Sequence, residues 1–222
     1  MSDAPLESTR AEAATVDFYF DFASPYAYFA HGALVALTRR HGLRLRYRPV
    51  LLWAILKDLG MPAPMEQPAK RRYMEHDMRR SAVYFGLPFQ LPPGFPVSSH
   101  AAARLFHTLD AQAPPNWSAQ AGDLVATLFK AYFVDGRDIA DPVVLGEAAA
   151  VVGLAPQQAQ QAAQAEVGKA ALRQANAEAV QRGVWGSPFW FHGGEGYFGA
   201  DRLAQFERSL DLARFDGGAG KV

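Results

Sequence analysis

Cysteine is missing altogether from this chain. Its absence excludes disulfides, thiolate metal sites and dithiol redox chemistry carried by the chain itself. An excess of charge of one sign is missing too. The 22 basic residues balance 22 acidic ones, so nothing in the balance favours nucleic acid or an acidic membrane surface as a partner. No apolar run reaches the length of a membrane span. Residues 1–15 lack the apolar centre of a secretory signal and are expected to form a flexible extension. A soluble, cytoplasmic protein is therefore expected. Close histidine spacing is absent as well. His31, His41, His76, His100, His107 and His192 contain no pair such as His-x-x-x-His, so no metal site is expected and each is read as a surface or partly buried histidine.

What is present begins with apolar bulk. Half of the residues are hydrophobic, enough for one large domain or one domain carrying an insertion. Residues 16–20 are apolar and aromatic, a strand. Residues 25–41 place Tyr26, Phe29, Ala30, Ala33, Leu34 and Leu37 at helical spacing, with Gly42 as the stop. Residues 43–49 alternate apolar and basic, the period of a second strand. The result is a β-α-β unit with parallel strands and a right-handed crossover.

From residue 51 to 182 the pattern turns helical. Helices are expected over 51–59, 68–85, 99–110 (capped by Ser98 or Ser99), 116–133 and 141–152, the last with Asp141 as N-cap and Pro142 behind it. Residues 155–181 are rich in Ala and Gln and are expected as two helices meeting near Val167-Gly168. The β pattern then returns. Residues 189–191 form a strand, 192–196 a hairpin turn and 197–198 the returning strand. Residues 201–215 form a final amphipathic helix, and the glycine-rich tail 216–222 is expected to be flexible. There is no internal repeat.

Residues able to carry chemistry gather at the junctions of these elements. Ser24-Pro25 sits where the first strand meets the first helix. In a structural role Ser24 is an N-cap worth about 1 kcal/mol. In a functional role its hydroxyl stands at the positive end of a helix, where an anion such as a thiolate is stabilised. No neighbouring base or Gly-x-Ser-x-Gly elbow accompanies it, so serine-nucleophile hydrolysis has no support. Ser187-Pro188 opens an aromatic strand, a position where proline is tolerated in the ordinary trans form. Asp201 is placed to N-cap the final helix. Lys70 belongs to a basic helix with Arg71, Arg72, Arg79 and Arg80, which by itself is a solvated face. Tyr26 and Trp53 suit core packing, or an aromatic wall for a flat substrate. Gly194 to Gly199 satisfies G-x-G-x-x-G, but the glycines straddle a hairpin and too little chain follows for a dinucleotide fold.

Five segments resemble the 2-hydroxychromene-2-carboxylate isomerase family, which lies beside the kappa-class glutathione transferases and the DsbA-like proteins. They are Asp-Phe-Tyr-Phe-Asp-Phe-Ala-Ser-Pro-Tyr at 17–26, Pro-Ala-Lys-Arg-Arg-Tyr at 68–73, Val-Asp-Gly-Arg-Asp-Ile at 134–139, Val-Trp-Gly-Ser-Pro-Phe at 184–189 and Phe-Gly-Ala-Asp-Arg-Leu at 198–203. The resemblance implies an α/β, thioredoxin-like fold with a large all-helical insertion. Residues 16–50 and 183–215 would form the thioredoxin-like domain and 51–182 the insertion.

The same resemblance implies glutathione as cofactor. Ser24 would replace the reactive cysteine of redox relatives and hydrogen-bond the sulfur. Ser187-Pro188 would be cis and would pair with the cysteinyl backbone. Ala200 and Asp201 would hold the γ-glutamyl end, and Lys70 a carboxylate. Tyr26 and Trp53 would stand near a small aromatic substrate. The implied activity converts 2-hydroxychromene-2-carboxylate-type hemiketals to trans-o-hydroxybenzylidenepyruvate in aromatic catabolism, and the implied assembly is a homodimer. A kappa-like glutathione transferase and a non-catalytic thioredoxin-fold binding protein are the alternatives. Gly60-Met61-Pro62 stands where the family often has Asn, and Ser81 where it often has Trp. Both departures fall in the insertion and bear on the particular substrate.

Overall fold

The aromatic run at the start of the chain is buried on both of its faces, and the molecule is built around it. The computed structural model describes residues 15–113 and 117–218. Its sheet contains β1 (Thr15–Phe20), β2 (Arg44–Pro49), β3 (Phe189–His192) and β4 (Glu195–Phe198). The order is β2-β1-β3-β4. Every residue of β1 is buried, as a central strand covered on both sides requires. β2 lies parallel to β1, with Phe18 opposite Tyr47. The link is α1 (Pro25–Arg40). β3 runs antiparallel to β1, with Phe18 opposite Trp190. Gly193 and Gly194, at φ 55° and 89°, turn the β3–β4 hairpin, the conformation a two-residue loop favours.

Between the two halves of the sheet the chain is helical. It forms α2 (Leu52–Asp58), α3 (Pro68–Phe85), α4 (His100–Ala111), α5 (Trp117–Phe133), α6 (Pro142–Ala149), α7 (Pro156–Gln164) and α8 (Glu166–Gln181). After β4 a 3₁₀ turn, Ala200–Arg202, leads into α9 (Leu203–Gly218). The main core joins sheet to helices through aromatic rings. Phe20 and Phe22 sit 5.6 and 5.7 Å from Phe129 of α5, centroid to centroid. Burying each such ring contributes about 1.5–3 kcal/mol, so these contacts do much to hold α5 on the sheet.

Several expectations need correction. The break between α7 and α8 falls at Ala165, whose φ of −63° and ψ of 140° leave the helix, not at Val167-Gly168. Gly168 lies inside α8 because a Cβ there would meet Thr108 Oγ1 at 2.2 Å and Arg104 O at 2.5 Å; the glycine serves close packing. α4 follows Ser99, but the Ser99 side chain makes no cap bond and instead hydrogen-bonds Asp21. The Ser98 hydroxyl pairs with His100 Nδ1 at 2.9 Å. Asp201 lies within the 3₁₀ turn and does not N-cap α9, which starts two residues later. The cap at Asp141 does form, with Oδ1 accepting from Val143 N at 2.8 Å. His31 and His107 are buried rather than surface residues. α9 continues past Asp216 to Gly218. The extension at 1–14, Asn116 and the last tail residues, 219–222, lie outside the described residues.

Candidate functional site

The apolar strand β1 ends in Asp21-Phe22-Ala23, and the chain turns into α1 at Ser24. Ser24 has extended backbone, as an N-cap must, and Pro25 takes the first helical position. Ser24 Oγ accepts from Ala27 N at 3.3 Å and donates to Ser187 O at 3.0 Å. The Ser187–Pro188 bond is cis. Ser187 Oγ in turn accepts from Asp21 N at 2.9 Å. Two loops separated by most of the chain are thus stitched together by two serines. Both serines are buried.

The next segment is tied to the same point. Gly199 N donates to Pro188 O at 3.0 Å, which sets the turn Ala200–Arg202 beside the cis-proline loop. Ala200 is buried. The Asp201 side chain is 70% exposed, with Arg202 Nη2 at 3.3 Å from Oδ2. Ser24, Ser187, Pro188, Ala200 and Asp201 therefore form one continuous patch at the positive end of a 16-residue helix. Lys70 is not joined to it. Lys70 is exposed in the first turn of α3, and no hydrogen bond or ion pair among the described residues links it to the patch.

Tyr26 and Trp53 differ in burial and in partners. The Tyr26 hydroxyl donates to Asp77 Oδ2 at 2.6 Å, which fastens α3 to α1. Burial, then the bond to Asp77, pushes the Tyr26 phenol far above its ordinary range, so it stays protonated. Trp53 is 52% exposed, with its ring 5.6 Å from that of His100. It presents a free aromatic face.

The residue that sequence reasoning missed is Asp21. It is buried. Its Oδ1 accepts from Ala23 N and its Oδ2 from Leu52 N, both at 2.8 Å, and Ser99 donates to it as well. One carboxylate thus holds the Ser24 turn, the start of α2 and the start of α4. Burial raises its pKa despite those donors. The visible signal was a lone acid at the end of an apolar run; its partners from α2 and α4 lie far off in sequence.

The Ser24 hydroxyl stands at a helix start, a position that favours an anion, and the Asp201 carboxylate is an exposed acceptor. Among the described residues no group of three or more His, Cys, Asp or Glu is arranged to hold a metal ion. No described helix is long and apolar enough to cross a membrane.

Comparison with known proteins gives the geometry a context. The family model described as a DSBA-like thioredoxin domain matches residues 15–211. A 2-hydroxychromene-2-carboxylate isomerase of Sphingobium xenophagum is 31% identical over 198 residues, covering 88% of this chain and 97% of the relative. Glutathione S-transferase kappa 1 of Caenorhabditis elegans is 38% identical over 81 residues, 36% of each chain. The solved structure of a 2-hydroxychromene-2-carboxylate isomerase superposes with a TM-score of 0.80 at 25% identity, covering 93% of this chain and all of that one.

Proposed function

Since the chain belongs to the DSBA-like thioredoxin family, in the group of the 2-hydroxychromene-2-carboxylate isomerases and kappa glutathione transferases, we propose that it is a glutathione-dependent isomerase of small aromatic substrates. The observation that carries the reading is the Ser24 hydroxyl at the start of α1, held against the cis Ser187–Pro188 loop. A serine there keeps a hydrogen-bond donor but cannot form a disulfide, which favours use of a bound thiol over redox exchange. When bound, glutathione supplies a thiolate whose reversible addition turns a carbon–carbon double bond into a rotatable single one.

The chain's own residues do the rest. Ser24 Oγ–H and the α1 start favour the anion over the thiol. The Ser187 backbone beside Pro188 aligns the cysteinyl unit. The Ala200–Arg202 turn and Asp201 anchor its amino end. Trp53 and the ring of Tyr26 form the aromatic side against which a flat substrate lies. A 2-hydroxychromene-2-carboxylate-type hemiketal, opened to its trans-benzylidenepyruvate, fits this role, as does a cytoplasmic homodimer with Lys70 meeting a carboxylate.

A kappa-like glutathione transferase is the second reading, favoured by the locally higher identity to the kappa relative. The test is calorimetry with reduced glutathione, followed by product analysis. The expected result is binding that Asp201→Ala weakens, and turnover that leaves glutathione unconsumed. Glutathione consumed mole for mole with substrate would favour the transferase. No glutathione binding would leave a non-catalytic binding protein.

A further inference from the structure

A cleft lies at the other end of the same strands. Arg44, Arg46 and Arg48 alternate along β2, so their side chains share one face of an edge strand. Arg182, the C-cap of α8, reaches the same face. With Asp17 and Phe191 these residues line a cleft of about 500 Å³. Thr15 and the Gly193-Gly194 loop close one side, at the end of β1 and β3 away from Ser24 and Ser187.

One buried carboxylate does not account for four guanidiniums. Asp17 takes Arg46 Nε on Oδ1, and Arg46 Nη2 on Oδ2 at 2.7 Å. Arg182 Nη1 also reaches Oδ2, at 2.8 Å. Arg182 lies over the Phe191 ring, 4.2 Å from its centroid, which fixes its plane. The other two arginines are differently placed. Arg48 Nε is 3.8 Å from Asp17 Oδ1, outside hydrogen-bond reach. That Nε is buried and has no hydrogen-bond partner among the described residues. Arg44 makes only a long contact, 3.5 Å, to Thr15 Oγ1 among its described hydrogen bonds. Glu178, the other carboxylate of the lining, accepts from Gln174.

Charge on an edge strand often serves to block pairing with another sheet. That purpose explains an exposed Arg44. It does not explain Arg48, which lines the cleft with its side chain 26% exposed and meets Asp17 only at 3.8 Å. A cleft with excess guanidinium is suited to an anion with several acceptor oxygens. Alternate residues on one strand face stand about 7 Å apart, so Arg44 and Arg48 address separate anionic groups across Arg46.

We propose that this cleft binds a small polyanion, a molecule with two or more neighbouring phosphate or carboxylate groups, independently of the Ser24 site. The test is calorimetry on the full chain at low ionic strength with inorganic pyrophosphate, ADP and citrate. At least one should bind, and added salt should weaken it. Tighter pyrophosphate and ADP would identify phosphate as the recognised group, and tighter citrate carboxylate.

An Arg44→Ala/Arg48→Ala double variant, which leaves Arg46 and Arg182, the hydrogen-bond donors to Asp17, in place, should lose about tenfold or more in affinity. Arg71→Ala, on α3, and Ser24→Ala should bind as the parent does. A readout on the unaltered protein guards against misfolding of the double variant: the bound anion should protect Arg44 and Arg48, but not Arg71, from phenylglyoxal, as read by mass spectrometry. No binding at millimolar probe, equal binding by the double variant, or no selective protection would each overturn the proposal.

Discussion

A serine hydroxyl has one proton to give and lone pairs to receive. At Ser24 the proton goes to Ser187 O and a lone pair takes Ala27 N–H. To donate to a bound thiolate, the hydroxyl must turn away from Ser187 O. Ser24→Ala removes the cap, worth about 1 kcal/mol, and the tether to Ser187, worth roughly as much again. A loss of about 1–2 kcal/mol from a total of about 5–15 leaves the protein folded. The pKa of the bound glutathione thiol should rise, because a donor to its charged form is gone. Ultraviolet titration of the thiolate, run beside thermal melts, reads both effects. Coincident titration curves for parent and variant would reduce Ser24 to a helix cap. Ser24 and Ser187 were legible because each sits in a Ser-Pro pair at a junction of elements. Asp21 was not, because its role depends on Leu52 N and Ser99, which only the folded chain brings to it.

Among the helices, composition gave the right number of pieces over 155–181 but the wrong reason for the glycine. Gly168 looked like a break because glycine weakens helices. In the fold it is where α8 comes close to α4, with Thr108 Oγ1 and Arg104 O filling the space of a Cβ. Such a contact between distant segments leaves no local mark in sequence. Gly168→Ala sets two effects against each other. Alanine is better in a helix by about 1 kcal/mol, and overpacking costs about 1–3 kcal/mol. The steric effect should win, because Arg104 O is backbone and Thr108 Oγ1 is already donating to Ala162 O at 2.7 Å. Urea melts should show a net loss of about 1 kcal/mol or more. Gly32→Ala, in α1 with nothing within 4 Å of the added Cβ, should do the opposite and gain up to about 1 kcal/mol. Matching gains in both variants would mean that α8 moves off α4 without cost.

Over the whole molecule, the order β-α-β, helices, β-β-α could be read from the alternation of strand and helix periods, whereas the meeting of the two serine loops was implied only by the family resemblance. The polarity of the interior was harder to read, since a histidine within a helical pattern carries no sign of its depth. His31 is buried against Phe18 and Phe129, with Nε2 3.3 Å from the Tyr47 hydroxyl. Burial lowers its pKa from 6.5 to about 4. The unfolded chain therefore takes up a proton that the folded one refuses in that interval. Stability is fully present above pH 6.5 and is lost as pH falls toward 4, by about 3 kcal/mol for this group. His107, also lowered by burial, adds to the loss. Asp21 acts in the other sense: its raised pKa means that protonation on the way down favours the folded state. Asp17, held below its ordinary value of 3.8 by Arg46 and Arg182 against the effect of burial, contributes its loss only at still lower pH. His31→Gln keeps hydrogen-bonding capacity toward Tyr47 without a titrating ring. Urea melts at steps from pH 6.5 to 4 should show the parent losing stability and the variant losing clearly less. Parallel slopes in the two proteins would place the proton uptake elsewhere, with His107→Gln the next variant to measure.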